Sequence, residues 1–458
     1  VPIGLIAAII PILVDEQETD SYVGVISGVE TRFAVNSEDV NGAIRYPSDF
    51  LDAPVKSPLL SATALSIYVI FFSIGVIGAL VIPSFSLFLA AEIKVRPFLV
   101  GLPFAGIAIA SIIYNTLMGS WSDSLKDRRK LIIGLCSLMA VACFVFAFSR
   151  NYVVVALVAT CIFSLSMVCF SQMLAYSLDY AETQVPTERT PLFNAIVRAQ
   201  IALAWVIGPP LGFILASQYS FTLSYGIAGV LAVLLMGAIY LWLPAITPLR
   251  HQTKAEEPAP IAPSNSSTTL NAALIFCVVG FSLFWGANNA YLIGLPIHFT
   301  ENLGLDPSWM GWVMGATAAF EVPFMLLAGF YAARIPLMRL INAAGFAALV
   351  LYLGIYMASE LWHFFVLQIF NAAFIGILAG LGVSVVQQLL PGQPGKASAI
   401  YTNTTNIGNL ISSLMVSVVA DLAGYGQIFI VNVFIVMVAI VCFSRIKLPS
   451  QQVHPDKQ

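Results

Sequence analysis

From about residue 64 to residue 444 the chain is a succession of continuous apolar runs, each about 20 residues long, separated by short polar breaks. That is the length a helix needs to cross a hydrocarbon core of about 30 Å. Strands of a membrane barrel would alternate apolar and polar every second residue, and these runs do not. Lipid offers no partner to a backbone N–H or C=O, so a continuous apolar run must satisfy its own backbone as a helix. The pattern predicts twelve spans. The first six are 64–89, 98–119, 131–149, 153–176, 192–214 and 221–243; the second six are 272–296, 308–331, 341–358, 363–387, 398–420 and 427–444. The expected fold is an all-α polytopic membrane protein.

Polar segments divide the chain further. Residues 246–270 hold four prolines, Lys254, Glu256, Glu257 and the run Ser264-Asn265-Ser266-Ser267, a flexible linker by composition. It separates a six-helix bundle over 58–245 from a second over 271–447, with a tail at 448–458. Residues 1–57 do not fit the scheme. Val1 to Val14 is apolar but too short to span and lacks the positive start of a signal peptide, and an acidic stretch follows. With Met118 the first methionine, this segment is expected to be a disordered tail or a gene-start artefact.

Composition agrees with the pattern. Of 458 residues, 59% are hydrophobic and 9% charged, against about 25% charged in soluble domains. A net charge of −3 with no basic stripe excludes nucleic acid as a partner. The six cysteines lie in apolar runs without metal-site or CxxC spacing and read as small packed hydrophobes; no metal or cofactor is expected. With the 120–130 loop in the cytoplasm, 13 Lys and Arg residues outside the spans fall on that side. Only Lys94, Arg96 and Arg150 fall on the other, leaving aside Arg198 and residues 1–57. The positive-inside bias thus predicts both termini and the linker in the cytoplasm.

Ionisable side chains at membrane depth are costly, about 2.5–3.5 kcal/mol on insertion scales, and are functional candidates by default. Glu321 lies near the middle of the eighth span and Arg198 about two turns into the fifth. As bland alternatives, Glu321 is a packing partner and Arg198 snorkels to the interface. Amides and aromatics recur at helical spacing: Trp285, Asn288 and Tyr291; Gln368 and Asn371; Asn403, Asn406 and Asn409. Amides donate and accept and aromatic faces pack on sugar C–H faces, so these stripes suit a neutral polyhydroxyl ligand; the alternative is interhelical hydrogen bonding, about 0.6 kcal/mol each. In the first loop, Gly119 permits close helix approach, and Asp123 followed by Arg128 and Arg129 has the makings of an ion-paired gate. A plain positive-inside anchor accounts for the arginines alone.

These residues resemble the sugar efflux transporter family of the major facilitator superfamily, from about residue 70 to 445. The resemblance rests on Gly75 to Leu89 with Pro83; Ser122-Asp123 with Asp127 to Ile133; Arg198-Ala-Gln200 with Ala204-Trp205 to Leu211; Met314-Gly315 with Glu321; and Leu367 to Ala372 with Phe374 to Gly376. It implies the twelve-helix major facilitator fold and a monomeric bacterial inner-membrane exporter of sugars or small glycosides, driven by proton antiport. It also implies that Arg198, Asn288, Tyr291, Glu321, Gln368 and Asn371 occupy positions the family keeps for its pathway; Trp205, Trp285, Asn403 and Asn406 are further candidate substrate-binding residues. In that fold helices 5 and 8 are neighbours, which puts Arg198 within reach of Glu321. Ser124, Lys126-Asp127 and Gly294 depart from the family pattern. A multidrug antiporter of the same fold is the competing reading, supported by Gly208-Pro209 and Gly212. A membrane-embedded enzyme is disfavoured because His251, His298, His363 and His454 all lie away from mid-membrane, and no filter motif suggests a channel.

Overall fold

The computed structural model describes residues 58–122, 127–187, 189–246 and 268–446. Residues 1–57 and most of the linker lie outside that set. The described residues form twelve helices long and apolar enough to cross a membrane, and no strand. In the first half they are α1 (Ala62–Glu92), α2 (Pro97–Ser122), α3 (Arg128–Phe148), α4 (Tyr152–Gln184), α5 (Thr190–Gln218) and α6 (Phe221–Trp242). In the second they are α7 (Thr268–Ile297), α8 (Pro307–Ala332), α9 (Leu337–Met357), α10 (Leu361–Leu389), α11 (Pro394–Ala423) and α12 (Gln427–Ser444).

Local chemistry sets where the helices begin. The side chains of Ser61, Asp127, Asn151, Ser220 and Asp306 each accept from a backbone N–H in the first turn that follows, satisfying donors that a helix start leaves orphaned. Pro97, Pro307 and Pro394 open their helices, where the missing N–H costs nothing. Inside, the halves are filled with interlocked rings: Phe85, Phe88, Phe146 and Tyr225 in the first, Phe281, Phe284, Phe374 and Phe443 in the second.

The two halves repeat a backbone device. α1 ends in a widened π turn over Phe88–Glu92, and α7 runs into another over His298–Asn302. After each comes a left-handed residue, Lys94 (φ 59°) or Gly304 (φ 65°), and then the proline that opens the next helix. Each pair is 210 residues apart. The hydrogen bonds match as well: Ile93 N to Phe88 O and Val95 N to Leu89 O in the first, Leu303 N to His298 O and Leu305 N to Phe299 O in the second. This is the internal repeat expected of two related halves.

The halves meet tightly at the face away from the linker. There α5 presents Pro209 and Pro210 to α8, and a Cβ at Gly311 would come within 2.6 Å of the Pro209 carbonyl and the Pro210 Cα. One at Gly315 would lie 2.8 Å from the Val206 carbonyl. On the opposite flank α2 meets α11, where a Cβ at Gly101 would collide with the Ser413 carbonyl and the Ser417 hydroxyl. Glycine is required at these positions because backbones touch. Arg96 also reaches Asp421 across the same seam, at 3.5 Å.

Candidate functional site

Between the halves lies a cavity of about 140 Å³ with two unlike walls. The first half contributes mostly apolar surface, including Phe85, Phe104, Phe146, Phe163 and Met167, with Ser111 as a polar lining residue. The second contributes the amides Asn289, Asn406 and Asn409. On the first-half side, α4 carries a π segment over Val158–Phe163, which ends at the lining ring of Phe163; such bulges re-aim side chains and recur at functional sites.

Within the second half a buried network joins α7, α8 and α10. The Gln368 Oε1 on α10 accepts from Tyr291 OH (2.8 Å), Thr317 Oγ1 (2.6 Å) and Asn371 Nδ2 (3.0 Å), while Gln368 Nε2 donates to the Phe364 carbonyl. Asn371 Oδ1 is buried without a hydrogen-bond partner, an acceptor left over from an otherwise satisfied group. Glu321 sits four residues, one turn, beyond Thr317 on α8. Its carboxylate makes no ion pair or hydrogen bond among the described residues. Next to it α10 comes close: a Cβ at Gly376 would be 2.8 Å from the Glu321 carbonyl. Pro323, two residues on, withholds a helical donor from α8.

The sequence-derived residues distribute as follows. Tyr291, Gln368 and Asn371 come together, joined by Thr317. Asn406 lines the cavity. Asn288 is half-buried on α7, and the Trp285 ring meets Tyr401 edge-on at 6.4 Å. Trp205 is half-buried on α5, and Asn403 is exposed on α11; neither lines the cavity. α5 and α8 pack along each other, but the exposed Arg198 is not ion-paired with Glu321.

Around the first loop, Asp123 lies outside the described residues and Gly119 is in the last turns of α2. Arg128 is buried and donates to Asp179 (2.9 Å) and Gln172 on α4 and to Ser122 on α2. Arg129 forks onto Asp127 and donates to the Leu243 carbonyl beyond α6. Arg129's donation holds the Asp127 carboxyl below the usual carboxylate range. These partners belong to the first half, where the two arginines fasten α2, α3, α4 and the end of α6 to one another.

Several contributors escape a reading of three-residue stripes. Asn289 is adjacent to Asn288 but turned about 100° around the helix. Thr317 is a lone hydroxyl in an apolar run, and the phenylalanines of the facing wall carry no polar mark. A search of α7 and α11 for amide and hydroxyl residues at any helical offset would have found Asn289, Ser412 and Ser413.

Comparison with known proteins places this geometry. The model of the Major Facilitator Superfamily matches residues 67–363 and 299–458. The "Sugar efflux transporter A" of Dickeya chrysanthemi is 36% identical over 386 residues, covering 84% of this chain and 96% of that one. The "Sugar efflux transporter B" of Salmonella typhimurium and "Sugar efflux transporter C" of Escherichia coli are each 34% identical over 395 residues, covering 86% of this chain and 98% of theirs. Among solved structures, the nucleoside transporter NupG superposes with a TM-score of 0.69 over 85% of this chain and 100% of its own, at 14% identity, a likeness of fold.

Proposed function

This chain belongs to the sugar efflux transporter family of the Major Facilitator Superfamily, and from that premise we propose that it exports sugars or small glycosides by alternating access in exchange for protons. The observation that carries the reading is the two-walled cavity. Asn289, Asn406 and Asn409 offer donors and acceptors for hydroxyls on one side; the rings of Phe85, Phe104, Phe146 and Phe163 offer a surface for C–H faces on the other. We assign the first bundle to 58–245, the second to 271–447 and the linker to 246–270. The linker face and both termini are cytoplasmic in the bacterial inner membrane, and the protein works as a monomer. In that orientation the seam of Gly101, Gly311 and Gly315 closes the outer face, the inward-facing end of the cycle.

Glu321 is the proposed proton carrier. It is the carboxylate at mid-membrane on α8, one turn from the Thr317–Gln368–Asn371 network, and it lacks a fixed counter-charge in this state. Arg198 stands on the neighbouring helix α5. Counting 1.5 Å per residue from the helix ends on the linker face, the two differ in height by roughly 4–5 Å, within an arginine's reach. An approach in one half of the cycle and separation in the other would switch the carboxyl between ionised and protonated.

The test is uptake into everted membrane vesicles of a panel of labelled sugars and aryl glycosides, with and without an imposed pH gradient. Gradient-dependent accumulation of sugars is expected. Accumulation of cationic dyes with no sugar transport would instead establish the multidrug reading, which the aromatic wall alone also accommodates. Sugar flux indifferent to the gradient would remove the proton.

A further inference from the structure

Asn289 joins the cavity wall from α7, and its hydrogen bonds restrict which of its two amide atoms a cargo can meet. Nδ2 donates to three oxygens of α11: Ser412 Oγ at 2.8 Å, Ser413 Oγ at 3.2 Å and the Asn409 carbonyl at 3.3 Å. Both serine protons are already committed. Ser412 Oγ donates to the Asn409 carbonyl at 3.1 Å and Ser413 Oγ to the same oxygen at 2.6 Å. The α11 partners therefore present lone pairs and no protons. Turned over, the amide would give up both of its N–H protons, set its oxygen against the Asn409 carbonyl, which can only accept, and pair with a serine only if that hydroxyl gave up its own bond to Asn409, in a site where Ser412 and Ser413 are buried. Nitrogen toward α11 is the arrangement that the Asn409 carbonyl and the two hydroxyls bonded to it favour, and Oδ1 receives no hydrogen bond from any described residue.

We infer that Asn289 Oδ1 is a fixed hydrogen-bond acceptor that selects cargo by the proton of one sugar hydroxyl, with Ser412 and Ser413 as positioning residues that set its polarity. The inference rests on the sugar-export reading above. A freely turning amide would accept or donate as the cargo required. A locked one requires a hydroxyl and refuses a ring ether, a fluorine or a hydrogen at the same place. The lock also sits beside the outer seam, since Gly101 of α2 packs on the carbonyl of the same Ser413. The acceptor thus belongs to the closed end of the cavity.

The experiment uses the full chain in everted vesicles, with labelled methyl β-D-galactopyranoside and methyl β-D-glucopyranoside as cargo. Their monodeoxy and monodeoxyfluoro derivatives serve as competitors. For wild type, the deoxy and the fluoro derivative at one ring position are both expected to compete about tenfold more weakly than the parent, the size of one hydrogen bond. In Asn289→Ala that penalty vanishes at that position while penalties elsewhere stay. In Ser412→Ala/Ser413→Ala the amide is free to turn, and the distinction between hydroxyl and fluorine at that position collapses. In Asn289→Ala, transport of the parent per molecule in the membrane is expected to fall about tenfold, to the level wild type shows for the deoxy derivative at that position. A merely structural role would lower all sugars together and leave the profile unchanged. The inference is overturned if fluoro derivatives compete as well as parents at every position, if the penalty survives Asn289→Ala, or if the serine pair leaves the profile as in wild type. Failure of wild type to take up either parent sugar would instead count against the export reading itself.

Discussion

At Glu321 a mid-membrane carboxylate stands without a fixed partner among the described residues, and a residue so placed is retained at a cost of a few kcal/mol. Glu321→Gln keeps the shape and removes the titration. The expected outcome is loss of gradient-driven efflux with sugar counterflow retained. Normal efflux against a gradient would rule Glu321 out as the coupling group, and loss of counterflow as well would make it a cargo ligand or a packing partner. Arg128 gives a contrasting case. Its guanidinium and Asp179 are nearly enclosed, with side chains 9% and 16% exposed, and removing one partner of a buried pair costs about 3–5 kcal/mol because the other charge is left behind. Arg128→Ala is therefore expected to lower the unfolding temperature in detergent markedly, and adding Asp179→Asn should restore part of the loss. A double variant no more stable than Arg128→Ala would show that the ion pair is not what Arg128 contributes. The carboxylate and the amide stripes were legible in the sequence because polar residues in apolar runs are conspicuous. Asn289 was not, since its importance comes from two serine hydroxyls more than a hundred residues away, and no spacing along one helix reports that.

Helix positions were legible almost throughout, and the departures have physical causes. α4 reads as ending near 176 because Ser177, Asp179 and Glu182 break the apolar run, yet it continues to Gln184. Its 33 residues extend about 50 Å at 1.5 Å each, well beyond a core of about 30 Å. The surplus turns need no lipid-compatible face, and Arg128 satisfies Asp179 there. α1 and α7 overrun their apolar lengths through the π turns, which a hydropathy pattern does not register. Packing between helices leads to a comparison of two seams. Arg96 is 78% exposed where it meets Asp421 at 3.5 Å, and such pairs are worth about 0–1 kcal/mol. Backbone contact at Gly311 leaves no room for even a methyl. Gly311→Val is thus expected to hold the outer face open, read as faster labelling of a cysteine at Ser413 by an impermeant maleimide in a cysteine-free background. Asp421→Asn should change that rate by less than about threefold. If Asp421→Asn opens the face and Gly311→Val does not, the ion pair and not the close packing keeps it shut.

At the scale of the whole molecule, orientation is the property most exposed to test. A cysteine at Ser264 in the linker is expected to react only with reagent supplied from the cytoplasmic side; reaction from outside would invert the helix count and the assignment of the closed face with it. The six-plus-six plan was legible from the runs and the linker, whereas the unlike cavity walls were not, because a phenylalanine facing a cavity and one facing lipid look the same in a sequence. The matching ends of α1 and α7 bear on how the molecule came to be. A π turn, a left-handed residue and a proline recur at the same interval, the mark of one bundle plan used twice. Lys94 still adopts a dihedral that suits Gly304 better, as a descendant keeps an inherited habit. The side chains diverged while the backbone did not: one copy took the amides and the carboxylate, the other the aromatic wall and the arginine clamp. The two halves thus carry different side chains on one shared backbone plan. On the proposed function, changes in the aromatic wall and changes in the amide wall act separately, because the two lie on different halves of the chain.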